Sequence, residues 1–290
     1  MSYVICSDSA GDFNVDHVTD LGLCLATLSF TIDGQAYQNH TDHCDMPIKT
    51  FYQNLRDGKT ATTAAVNVQQ FTDLFEPALQ AGSDVLYLGF SSGLSTTYQS
   101  GEIAAADLRE KYPNRKIITI DTLAGSAGQA LLVTLACKMQ QAGKDIEEVA
   151  QWVRDNALKM NIFVIVDDLN HLKRGGRVST ASAVLGSMLS IKPIIVVNNE
   201  GKLVNSDKAR GRKTAFDKAL AAMDVRKPNG GYPDIFVAHS DCLDGANQLI
   251  DLVRTKYGTE HIETLDIGPV IGAHTGPGTV VVAFLGTHRD

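Results

Sequence analysis

Short runs rich in β-branched and aromatic residues alternate along the chain with longer segments whose apolar residues recur at helical spacing. This alternation confines the fold to the α/β class, with crossover helices on a largely parallel sheet. Residues 3–7, 24–32, 84–90 and 116–120 read as buried strands, separated by helices near 67–81, 97–111 and 125–142. A second series places strands at 162–167, 193–198, 234–238, 261–267 and 279–285, with helices near 208–223 and 245–257. The strand count restarts near residue 160, so the sequence predicts two α/β domains, 1–160 with a mainly parallel sheet and 161–290 with a mixed one. The antiparallel part of the second sheet rests on Asn199-Glu200-Gly201, which stands between two strand-like runs; glycine accepts positive φ cheaply, which suits a hairpin.

At 290 residues, with 44% hydrophobic and 20% charged content, the chain has the apolar material for about two cores of ordinary size. No apolar run reaches the ~18 residues of a membrane span, and the opening MSYVICSDSAGD is strand-like where a leader would be basic and apolar. The expected location is the cytoplasm. Five cysteines, Cys6, Cys24, Cys44, Cys137 and Cys242, are widely spaced and form no CxxC pair, so buried free thiols are expected over a disulfide framework or structural zinc site. Lys plus Arg total 26 against 33 Asp plus Glu, a net charge of -7 that argues against nucleic acid as a partner.

The nucleotide loops of α/β proteins are missing their signatures. Gly58-Lys59-Thr60 is the one GK[ST] triplet, but Gln53 stands where the first P-loop glycine belongs, and no GxGxxG follows the first strand. GFSSG at Gly89 to Gly93 matches GxSxG directly after a strand, with Asp241 and His274 following in the chain order of an α/β-hydrolase. Against a nucleophilic Ser91, the helix does not begin at the elbow, and no HGGG-like segment precedes it. Hydroxyls that cap the next helix are the alternative. Both readings put hydroxyls at the carboxyl end of a strand, where open α/β sheets bind ligands.

Three further clusters carry chemistry-capable side chains. His40, Asp42, His43, Cys44 and Asp45 fall between a strand-like run and a helix start marked by Asp45 and Pro47; a solvated turn accounts for them, and no metal is assigned. Lys173, Arg174 and Arg177 with Gly175 and Gly176 fit either an anion-binding nest or a turn into a helix capped by Ser179 or Thr180. Lys208-Ala-Arg-Gly-Arg-Lys213 reads as the opening of a helix, where basic charge opposes the dipole and suggests either binding or a solvated start. Finally, His274 and Thr275 fall in what reads as a glycine-rich loop between two strands, and offer neutral hydrogen-bonding groups to an anionic head group.

In their order these motifs resemble the DegV family, the fatty-acid-binding proteins that serve bacterial fatty acid kinase. The resemblance runs through Ser7-Asp8-Ser9, Thr62-Thr63, Ser91-Ser92-Gly93-Leu94-Ser95-Thr96-Thr97-Tyr98-Gln99-Ser100 and Ile120-Asp121-Thr122. It continues through Asp168-Leu169-Asn170-His171-Leu172-Lys173-Arg174-Gly175-Gly176-Arg177, Ile191-Lys192-Pro193, Lys208-Ala209-Arg210-Gly211 and His274-Thr275-Gly276-Pro277-Gly278.

The resemblance implies a non-enzymatic carrier holding one long-chain fatty acid, with no cofactor and no metal. The carboxylate lies near the domain junction and the tail inside the second domain. Thr63, Ser95 and His274 would meet the head group, with Thr96 and Thr275 close by, and Arg210 would lie on the surface that docks an ATP-dependent fatty acid kinase subunit. Transient membrane contact accompanies such a cargo. Two departures from the family pattern stand out: Ser95-Thr96-Thr97 replaces Ser-Gly-Thr, and Thr63-Ala64-Ala65-Val66 replaces Thr-Ser-Gln-Pro. Burial of a methylene contributes about 0.8 kcal/mol, so roughly fourteen of them gain on the order of 10 kcal/mol before ordering costs. Retention therefore needs no covalent bond. The remaining alternatives are a serine esterase using Ser91 and a binding protein for another small carboxylate.

Overall fold

The computed structural model describes residues 2–178 and 191–289, and the alternation read from the sequence is realised in it. The chain opens with β1 (Tyr3–Asp8), a single 3-10 turn and α1 (Val15–Leu21), then β2 (Cys24–Ala26), β3 (Ser29–Ile32), β4 (Gln35–Gln38), α2 (Ile48–Arg56), β5 (Ala61–Ala64) and α3 (Val68–Gln80). Next come β6 (Asp84–Gly89), α4 (Thr97–Lys111), β7 (Ile117–Asp121), α5 (Ser126–Gln141) and α6 (Ile146–Ala157). The second half contains β8 (Met160–Ile165), α7 (Asn170–Arg174), β9 (Ile191–Val197), β10 (Leu203–Arg210), α8 (Arg212–Arg226) and β11 (Asp234–His239). It closes with α9 (Leu243–Tyr257), β12 (His261–Asp266), α10 (Pro269–Thr275) and β13 (Val280–Leu285).

The two larger sheets realise the expected two-domain α/β class, one all-parallel and one mixed. β2-β1-β6-β7 form an all-parallel sheet, in which every residue of β6 is buried, as covering helices on both faces require. β10-β9-β8-β13-β11-β12 form the second sheet, mixed because β11 and β12 pair parallel while the other neighbours are antiparallel. The β9–β10 hairpin turns where the sequence placed it, with Gly201 at φ 72°. α5 is buried on all sides from Ser126 through Thr134, and it lies between the sheets. Its Leu131 and Val133 share one core with Ile5 and Leu88 of the parallel sheet and with Ile162 and Val281 of the mixed one.

The structure departs from the sequence reading in three places. Residues 24–32 are not one strand. After β2 the chain leaves the parallel sheet where Leu28 N donates to Ser9 Oγ (3.0 Å), and β3 then pairs with β4 and β5 in a separate antiparallel sheet, placing Thr63 opposite Phe30. Lys208 to Arg210 do not open a helix: they pair with Pro193 to Ile191 on edge strand β10, and Gly211 at φ 82° turns the chain into α8. Their charge therefore blunts a sheet edge instead of opposing a dipole. His274 and Thr275 lie on α10, not in a loop, because Pro269 at the first helical position starts a helix that ends before Gly276 at φ 74°. The proposed caps Ser179 and Thr180 lie outside the described residues.

The two halves also meet backbone to backbone. A Cβ at Gly93, just beyond β6, would stand 2.6 Å from the Glu200 carbonyl oxygen in the β9–β10 turn. Neither partner is a flexible side chain that can swing aside. Gly93→Ala is therefore expected to lower stability by about 1–3 kcal/mol through overpacking, measured as a shift in the urea midpoint.

Candidate functional site

The site is assembled on two carboxylates at the carboxyl ends of parallel strands, Asp8 buried and Asp121 half-buried. Asp8, ending β1, is fully buried, and its oxygens accept bonds from Phe90 N (2.8 Å), the Tyr87 hydroxyl (2.9 Å), Gln129 Nε2 (3.2 Å) and Ala10 N (3.3 Å). Burial raises its pKa, and these four donors oppose that rise. Asp121, ending β7, accepts from Ser92 N (3.2 Å) and Leu123 N (3.0 Å). Together they fix both ends of the turn leaving β6, so the following hydroxyl-rich segment is held in one conformation. Ser95 Oγ then accepts from Thr97 N (3.2 Å) and bonds Thr97 Oγ1 (2.9 Å) at the start of α4.

Across the domain junction, α10 presents His274. Its Nε2 lies 2.9 Å from Thr63 Oγ1 on β5, and its Nδ1 is buried with no hydrogen-bond partner. Gly175, at the end of α7, is what permits this placement, since a Cβ there would stand 2.1 Å from Nδ1. Burial, assisted by the Arg177 guanidinium, lowers the His274 pKa to about 4. The imidazole is thus neutral at physiological pH and able to hydrogen-bond without a counter-charge.

Thr63, Ser95, Thr96, His274 and Thr275 all line one cavity of about 410 Å³, within the ~300–1,000 Å³ usual for small-molecule sites. Its walls come from both halves, with Leu28, Ala64, Ala65, Phe90 and Leu94 on one side and Leu172, Leu203, Val270 and Ile271 on the other. The five residues are not equivalent. Thr63 and His274 are bonded to each other and Ser95 caps α4, whereas Thr96 is exposed, and the Thr275 hydroxyl donates to Ile271 O (3.2 Å) within its own helix. Arg210 is exposed at the end of β10, away from these walls.

A smaller cavity of about 190 Å³ shares Thr63, Arg177 and His274 with the first and is lined further by Lys59, His171 and Arg174. Arg177 joins the two, donating from Nε to Leu94 O at 3.2 Å. The sequence left Arg177 between a nest and a turn, and the roles of Asp8 and Asp121 were not read from it. An acidic residue ending a parallel strand was the available signal in both cases.

The hydrolase pattern is not assembled. Ser91 is fully buried, donates to Gly201 O (2.7 Å) and accepts from Gly93 N (3.2 Å), while Asp241 pairs with Arg56 at 2.6 Å and His274 Nε2 with Thr63. Gly58-Lys59-Thr60 connects a helix to a strand, α2 to β5, the reverse of the strand-to-helix order a P-loop requires.

A family model described as "uncharacterised protein, DegV family" matches residues 2–287. The chain belongs to the DegV family. A DegV domain-containing protein of Clostridium perfringens is 42% identical over 288 residues, 99% of each chain. Among solved structures, a DegV family protein from Thermus thermophilus described by its fatty acid binding superposes with a TM-score of 0.87 at 28% identity, covering 99% of this chain and all of the other. A fatty acid binding DegV family protein from Streptococcus agalactiae gives 0.85 at 28% identity, covering 99% of each. Among the described residues of this DegV protein, no helix is long and apolar enough to cross a membrane.

The depressed pKa of His274 has a thermodynamic consequence. Between pH 6.5 and about 4 the unfolded chain binds a proton here that the folded chain does not, so stability present above pH 6.5 is lost as pH falls through that window. His274→Asn is expected to flatten the dependence of denaturation midpoint on pH between these limits, leaving the slope above pH 7 unchanged.

Proposed function

We propose that this DegV protein is a non-covalent carrier of one long-chain fatty acid. Its carboxylate is hydrogen-bonded by Thr63, Ser95 and His274, and it is presented to an ATP-dependent kinase subunit that forms the acyl phosphate. The observation that carries the reading is the Thr63–His274 pair: a hydroxyl and a neutral imidazole, 2.9 Å apart, on the wall of a cavity lined from both domains. Such a pair fits an anion that must give up water, because a hydroxyl and a neutral imidazole N–H can both donate to a carboxylate oxygen without a buried counter-charge. The fatty acid binding of relatives 28% identical across almost the whole chain supports the same cargo.

The tail extends along the apolar walls of the second domain, and Ala64 and Ala65 add apolar surface from the first. Thr96 and Thr275 border the head group without being its principal ligands. The carrier works in the cytoplasm, needs no cofactor and itself catalyses nothing. Supply of ATP falls to the partner, since the Gly58-Lys59-Thr60 turn runs in the wrong direction for a phosphate loop. The kinase docks at the edge marked by Arg210. Lys59, Arg174 and Arg177 around the smaller cavity supply positive charge beside the carboxylate, where a phosphoryl group is to be attached.

Native mass spectrometry of freshly purified protein, with organic extraction of the bound material, tests the reading. One fatty acid per chain is expected. The Ser95→Ala, His274→Ala double variant is expected to retain at least ~10-fold less ligand, the loss of about 1.4 kcal/mol or more of head-group bonding. A ligand-free mass with no uptake of added oleate or palmitate overturns the carrier. Ester turnover abolished by Ser91→Ala would favour the esterase instead.

A further inference from the structure

The connection between β4 and α2 brings a second kind of chemistry together, outside the fatty-acid cavity. Gln38 N donates to Asp45 Oδ2 at 2.7 Å, which fixes that carboxylate and leaves Oδ1 facing His40 and Cys44. Asp45 Oδ1 lies 3.9 Å from His40 Nε2 and 3.9 Å from Cys44 Sγ, and the three ligand atoms all fall within 4.8 Å of one another. Asp42 Oδ1 accepts from Cys44 N (3.1 Å), which sets its carboxylate beside the same thiol. His43 is not part of the group. Among the described residues this is the one cluster of three or more such side chains with metal-binding spacing.

The donor set selects among cations. Imidazole, thiolate and carboxylate at bond lengths of about 2.0–2.3 Å subtend tetrahedral edges of roughly 3.3–3.6 Å, so small side-chain rotations bring the 3.9 Å separations to those of a bound ion. Calcium and magnesium demand six or more oxygen donors and are poorly matched to a sulfur and a nitrogen. A borderline-soft divalent ion matches all of them.

We propose that His40, Cys44 and Asp45, with Asp42 as the fourth group, form a binding site for a divalent cation of the zinc class. On binding, the Cys44 thiol loses its proton to solvent and the sulfur becomes a metal ligand, with no change of oxidation state. The bound ion ties the β4–α2 connection into one closed unit. The site is independent of the fatty-acid reading, because none of these four residues lines the cavity.

Titration of the untagged, full-length protein with cobalt(II), followed by zinc competition, tests the assignment. One equivalent of cobalt is expected to give a thiolate-to-metal charge-transfer band with the visible bands of a tetrahedral ion, and zinc is expected to displace it. Cys44→Ser is expected to abolish the charge-transfer band, and His40→Ala to weaken zinc binding ~10-fold or more. Both variants alter surface-facing side chains, and unchanged oleate uptake and circular dichroism verify that they fold. Absence of the band, or a band and zinc affinity that survive Cys44→Ser in the folded protein, overturns the proposal.

Discussion

A carboxylate with no access to water holds this structure to its geometry. Asp8 sits where β1 ends, and it gathers donors from β6, from α5 and from the 3-10 turn after its own strand, so three elements are bound to one pair of oxygens. An unpaired charge in that position would cost several kcal/mol, which means the surrounding groups have no alternative arrangement of comparable energy. The turn at Phe90 inherits that rigidity, and through it so do Ser92, Ser95 and the start of α4. α5 supplies one of the donors while also filling the space between the two sheets, so the turn after β6 and the joint core are anchored by the same helix.

Most of the architecture was legible in the sequence because the central strands of the parallel sheet are covered on both faces, leaving Tyr3 to Cys6 of β1 and Val85 to Leu88 of β6 as apolar runs. The hairpin at Gly201 was equally plain. What escaped was decided by contacts distant in sequence. The run from Cys24 to Ile32 has continuous strand character, and only the Ser9 hydroxyl at Leu28 shows that it changes sheets. Lys208 to Arg210 have no local preference strong enough to oppose pairing with β9, and Gly211 was the signal that the helix starts later.

The candidate site was legible as residues before it was legible as a place. Thr63, Ser95 and His274 converge on one cavity, but the bond between Thr63 and His274 belongs to tertiary structure alone. The GxSxG pattern shows the converse. Gly93 is glycine because the Glu200 backbone passes within a Cβ's reach, and Ser91 is used to hold the Gly201 carbonyl. Ser91 and Gly93 are both explained by a contact between two turns, so these positions carry packing information here and no nucleophile.

Thr63 and His274 stand 211 positions apart, and the walls they complete are drawn from segments spread between Leu28 and Thr275. No shorter stretch of the polypeptide contains both residues. A ribosome must therefore deliver His274 before the pair can form, so no shorter nascent chain has the completed cavity wall.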